Sequence, residues 1–331
     1  MHSSSLGSGA LNLRLLQRQL AALLPDARAA GGESTLELVS QGNDAPRLIS
    51  ATVLEEGRLR ARRIHDAPAS VFRAFLDGTQ RSEVASYIGN VAVVLGHVAA
   101  VVRERRARRM FTWGTPLVET RIYAPRAYLT AVTWNTLAGE FGDLLVDTTE
   151  GTTDVAAHPF ALRDAAFHRV QSHREQVEQW LAERWCIEEH DPLFIDGGIS
   201  GSEKVAISAL TVGVVKSHRT LYADGDALAT VLSLGTSERS SVFRITSPRR
   251  TTVASWYLRL RDAAGHDPMW GLVRVEVAYP DAPQIARIGD RADEISRWIL
   301  AEVSPVALPD SRWDKMVYGI RDCEEFLRAV R

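Results

Sequence analysis

This sequence predicts an α/β fold, a mixed sheet flanked by helices with a helical extension at its N-terminal end. Three observations predict it. Short β-branched and apolar runs recur along the chain, two of them end in Asp-Gly (Asp77-Gly78 and Asp196-Gly197), and one long amphipathic pattern lies between the two. Its 331 residues, 45 % of them hydrophobic, are enough to bury one large core or two modest ones.

Composition narrows the function classes. A net charge of −2 and a pI near 6.5 exclude coating of nucleic acid by bulk charge, while a local basic channel stays open. Cys186 and Cys323 are the only cysteines and share no metal-binding spacing, which argues against disulfide scaffolding and structural zinc and points to a reducing cytoplasm. Residues 1–10 are rich in Ser and Gly without the pattern of a signal peptide. The most apolar run, residues 91–102, is interrupted by Gly96-His97 and is too short for a membrane helix, so no membrane span is expected.

In chain order, leucines at 13, 16, 20, 23 and 24 predict a helix over about 11–24, stopped by Pro25, within an extension covering residues 1–47. The main domain is expected over 48–331, beginning with alternating residues 48–64 that read as a strand or hairpin around Glu56-Gly57. Three strands follow, at 73–77, 83–93 and 98–103, with turns at 78–82 and Gly96-His97. Arg103, Arg105, Arg106, Arg108 and Arg109 come next, either a solvated run or a lip that contacts phosphate. Residues 112–150 mix aromatic, β-branched and turn residues and read as an insertion that shapes a groove.

Residues 159–185 carry the long helix, with Glu175, Glu178 and Glu183 among its charged positions. After Asp196 the turn Gly197-Gly198-Ile199-Ser200-Gly201-Ser202 allows close backbone approach to a bound group, or is a plain loop. Residues 206–215 read as a buried strand that ends at Lys216-Ser217-His218-Arg219. Later strands are expected at 242–246, 254–260 and 272–277, with Arg259 and Arg261 on one face and Arg274 with Glu276 on another. A helix follows at 290–303, then a short closing helix.

Either Asp-Gly alone is a common turn pair. Two of them at the same edge of one sheet would bring four carboxylate oxygens together, the donor set for Mg²⁺ or Mn²⁺. A helix glutamate is a candidate third ligand. Meander, long helix and second Asp-bearing strand follow the order of the RNase H-like fold, whose nucleases hold two divalent ions with acidic side chains.

The segments Phe75-Leu76-Asp77-Gly78-Thr79, Leu193-Phe194-Ile195-Asp196-Gly197-Gly198 and Val212-Gly213-Val214-Val215-Lys216-Ser217-His218 resemble the NurA nuclease family. So do Trp256-Tyr257-Leu258-Arg259-Leu260 and Asp310-Ser311-Arg312-Trp313, and the resemblance covers roughly residues 70–330. It implies an RNase H-like, Piwi-like fold and a Mn²⁺-dependent nuclease cutting single strands and DNA ends. It also implies a homodimer and a HerA-type hexameric ATPase as partner, in DNA end processing or defence. On that resemblance Asp77 and Asp196 are metal ligands, with Glu178, or Glu175 one turn away, as the helix ligand. The family's late tyrosine and histidine are matched only by Tyr318, with no histidine after it, so either His218 or Lys216 takes the basic role or proton transfer runs through metal-bound water. Arg103, Arg105, Arg106, Arg108, Arg109 and Arg259 are the candidate DNA contacts. The rival expectation is a catalytically weak scaffold that keeps the fold to bind DNA or a motor ATPase.

Overall fold

The computed structural model describes residues 11–30, 46–151, 157–303 and 318–330. Three long antiparallel strands dominate it: β1 (Ala74–Ile88), β2 (Val91–Arg106) and β3 (Arg109–Ala124). The meander is therefore as expected in kind, but its boundaries differ, because two glycines read as turns lie inside strands. Gly78 pairs with Ala100, and Gly96 pairs with Ser82 on one side and Arg121 on the other. Gly96 is needed for close approach, since a Cβ there would stand 2.6 Å from both the Tyr123 ring and Val170. The chain actually reverses at Gly89-Asn90 and at Ala107-Arg108, where Gly89, Ala107 and Arg108 have positive φ, the backbone hand that suits tight hairpins.

Shorter strands complete the sheet: β4 (Leu145–Asp147), β5 (Leu193–Asp196), β6 (Thr211–Val215), β7 (Val253–Arg259) and β8 (Leu272–Ala278). Their order is β7-β8-β6-β5-β1-β2-β3-β4, with Phe243–Ile245 and Thr52–Val53 beyond β7. β5 runs parallel to both β1 and β6, and β8 is antiparallel to β6. Glu56 and Gly57 do turn the chain with positive φ. The flanking strands do not form the expected hairpin: Thr52–Val53 pairs with Phe243–Ile245, and Ala61–Arg63 with Glu238–Ser240.

The longer helices are α1 (Leu13–Leu23), α2 (Ala131–Phe141), α3 (Pro159–Glu188), α4 (Gly225–Leu232), α5 (Ile288–Glu302) and α6 (Tyr318–Ala329). On one face of the sheet α3 buries Val170, Val177 and Leu181 against Leu76, Val94 and Val98. On the other, α5 and α6 bury Trp298, Ile299, Ile320 and Leu327 with Phe72, Phe75, Phe194 and Trp256. A third cluster joins Leu16 and Leu20 of α1 to Leu137 and Phe141 of α2, over Val93, Leu95 and Ile122. Residues 112–150 thus extend the sheet edge through β3, α2 and β4. The segment containing Asp310 to Trp313 lies outside the described residues.

Candidate active site

The site arises from strand register. Leu76 of β1 pairs with Ile195 of β5, so the next residue on each strand, Asp77 and Asp196, emerges side by side; neighbouring strands lie ~4.8 Å apart. Residues alternate across a strand. Asp77 therefore shares the α6 side with Phe75, while Gly78 faces α3. A Cβ at Gly78 would collide with the Glu178 carboxylate, so glycine here lets Glu178 lie over the strand. Asp77, Asp196, Lys216 and Arg174 line one open cleft of about 470 Å³ with Glu324 and Arg328 of α6.

Charge in the cleft is poorly compensated. Asp77 is 7 % exposed and accepts a hydrogen bond from the Gly78 N–H at 2.8 Å. Burial, then repulsion from Asp196, holds its pKa well above the carboxylate range; Lys216 pulls it down, and Glu178 and Glu324 push it further up. Burial likewise raises Glu178 to about 7 against the pull of Arg174, with Asp196 adding to the rise. Lys216 Nζ donates to Asp196 Oδ2 at 2.8 Å, and Arg174 donates to Glu178 and, at 3.1 Å, to Gln80.

A second recess, of about 160 Å³, continues from Arg174, Asp196 and Gly197 along the glycine-rich loop. The loop is held from below: the buried carboxylate of Glu276 accepts from the Ile199 N–H at 2.9 Å and from Arg274 at 2.5 Å. Gly213 leaves room for it, since a Cβ there would lie 2.7 Å from the Gly197 carbonyl oxygen.

Asp77, Glu178, Asp196 and Lys216 are thus brought together, and other expected residues are not. Glu175 and Glu178 both line the second recess, but Glu178 lies over Gly78 beside Asp77, whereas Glu175 bonds to Gln171. His218 donates from Nε2 to the Leu272 carbonyl at 2.8 Å, in the interior beside Tyr257, which removes it from the basic role. Tyr318 is 60 % exposed and lines a separate groove with Arg105 and Arg108. Arg259 is fully buried and donates to the carbonyls of Leu232, Leu234 and Trp270, so it is a structural arginine and not a DNA contact.

The arginine run is not one lip, because it straddles the β2–β3 hairpin and alternation splits it. Arg103 pairs with Asp322, Arg105 forks onto Glu302, and Arg106 pairs with Glu104. Glu324 and Arg328, by contrast, escaped the sequence reading. They are charges on a short closing helix, which the packing of Gly319, Ile320 and Cys323 against Phe75 brings over β1.

The donor set is that of a hard divalent cation, all carboxylate oxygen, and the unneutralised charge at Asp77 fits such an ion. As placed, Lys216 and Arg174 occupy two of the carboxylates. Among the described residues no three Asp, Glu, His or Cys side chains stand close enough to hold one ion.

No protein-family model and no curated protein sequence matches the chain. Among solved structures it is similar to the NurA nuclease from Sulfolobus solfataricus, at 12 % identity and a TM-score of 0.46, over 82 % of this chain and 86 % of that one. A likeness of that degree assigns no residue, and the chemistry is read from the cleft itself.

Proposed function

We propose that the protein is a divalent-cation-dependent nuclease of the NurA type, with an RNase H-like sheet, that cleaves single-stranded and end-containing DNA. The observation that supports this reading most is the emergence of Asp77 and Asp196 from adjacent parallel strands into one open cleft, with Glu178 laid over Gly78. Asp77 and Asp196 would hold Mn²⁺ or Mg²⁺, two ions in the full site, with Glu178 as the helix ligand. The chemistry such a cation supplies is Lewis-acid stabilisation of the phosphoryl oxygens and of the attacking and leaving oxygens. Lys216, freed from Asp196, and Arg328 at the rim bind phosphate oxygens and orient the strand. A homodimer in the cytoplasm, working with a HerA-type hexameric ATPase in DNA end processing or defence, belongs to the same proposal, on the motif resemblance alone.

The test is cleavage of labelled single-stranded and blunt-ended DNA with Mn²⁺, Mg²⁺ or a chelator. Asp77→Asn and Asp196→Asn are each expected to lower the rate by about three orders of magnitude while the fold is retained; full activity in both variants would remove the proposal. One observation favours a second reading, a catalytically weak scaffold that binds DNA or a motor ATPase. Lys216 and Arg174 already neutralise two carboxylates, and no three ligands share one point among the described residues. On that reading DNA binds but is not cut, with any divalent ion.

A further inference from the structure

Helix α3 has two working flanks. Its apolar stripe, Val170, Val177 and Leu181, sits on the sheet. At 100° per residue this places Arg174 and Glu178 on the flank toward β5, and Arg169, Ser172, His173 and Gln176 on the opposite flank, toward β3. There those four side chains meet Arg121 and Tyr123 around a separate cavity of about 160 Å³.

The cavity is built from a fixed relay. A carboxylate only accepts, so His173 Nε2–H donates to Glu119 at 3.1 Å, and the Tyr123 hydroxyl donates to His173 Nδ1 at 2.8 Å. Arg121 lies against Glu119 at 2.8 Å, and Tyr123 is locked in place over Gly96. The relay uses the polar atoms of Glu119, His173 and Tyr123 on one another. Arg169, Ser172 and Gln176 are different: at positions i, i+3 and i+7 they share one helix face, and among the described residues none has a hydrogen-bond or ion-pair partner. Among the described residues two guanidinium groups face one carboxylate, which leaves a net positive pocket where the Arg169 guanidinium, the Ser172 hydroxyl and the Gln176 amide have no partner.

We infer that this pocket binds a phosphate group, with Arg169 and Arg121 supplying the charge and Ser172 and Gln176 the further donors. Guanidinium forks match phosphate oxygens, and a hydroxyl and an amide add further donors on the same cavity wall. The ligand is either free inorganic phosphate or a backbone phosphate of nucleic acid. The inference does not depend on cleavage chemistry in the acidic cleft.

The test is titration of the full chain with inorganic phosphate and, separately, with a single-stranded oligonucleotide lacking terminal phosphates. The His173 ring is followed by NMR, its signal assigned through His173→Gln. Saturable movement of that signal is expected, with affinity about tenfold weaker in Arg169→Gln, as for loss of one charged contact. Ser172→Ala, a smaller change, is expected to weaken binding without altering the fold. Movement with both ligands identifies a nucleic-acid backbone, and movement with phosphate alone a small anion. A His173 signal unmoved by either, or equal affinity in wild type and in a folded Arg169→Gln, would overturn the inference.

Discussion

At the residue scale, Gly78 decides where the Glu178 carboxylate lies. Alanine there would force the Glu178 carboxylate away. Gly78→Ala is expected to cost about 1–3 kcal/mol of stability by overpacking and to remove most DNA cleavage; wild-type rates in a folded variant would detach Glu178 from the chemistry. His218 gives a second prediction. Burial lowers its pKa from 6.5 to about 4, with Arg274 and Arg259 adding to the effect, and its buried Nδ1 has no hydrogen-bond partner among the described residues. Between those values the unfolded chain binds more protons than the folded one, so this contribution to stability is present above pH 6.5 and is lost as pH falls toward 4. The loss is about 3 kcal/mol. Asp77 and Glu178, with raised pKa values, act in the opposite sense, so the useful quantity is wild type minus His218→Gln in urea midpoints across pH 4 to 7. Parallel curves would contradict the assignment. Both aspartates were legible in the sequence because the Asp-Gly device occurs twice. The location of His218 was not, since Lys216-Ser217-His218-Arg219 as a string does not say which side chain turns inward to a carbonyl.

At the scale of elements, the order of meander, long helix and second Asp-bearing strand could be read from periodicity, but the strand limits could not. Gly78 and Gly96 serve close approach of Glu178 and Tyr123 from outside the strand, and local sequence does not distinguish that from a turn. The partners of Arg103 and Arg105 were hidden for a similar reason: Asp322 and Glu302 are some two hundred residues away in the chain. Arg105→Ala strands Glu302, which is buried, and is expected to lower stability by about 2 kcal/mol. It should leave the salt dependence of DNA binding unchanged. A flatter salt slope at unchanged stability would restore Arg105 as a phosphate contact. In α6, Gly319→Ala would push a methyl into the Phe75 ring. The expected result is a loss of about 1–3 kcal/mol and release of Glu324 and Arg328 from the cleft, read as a lower thermal midpoint together with weaker DNA binding.

At the scale of the molecule, one sheet joins three hydrophobic clusters, and the two carboxylate-bearing strands meet near its middle, where β5 lies parallel to β1 and to β6. That placement exposes a burial-strained Asp77 to solvent on one side only, between α3 and α6. The central claim is that Asp77 and Asp196 share a divalent cation, and electron paramagnetic resonance of Mn²⁺ titrated into the protein tests it without any substrate. Wild type is expected to bind Mn²⁺ saturably, with binding lost in Asp77→Asn and in Asp196→Asn and strengthened in Lys216→Met, which frees an Asp196 oxygen. Mn²⁺ affinity that is the same in all four proteins would contradict the account.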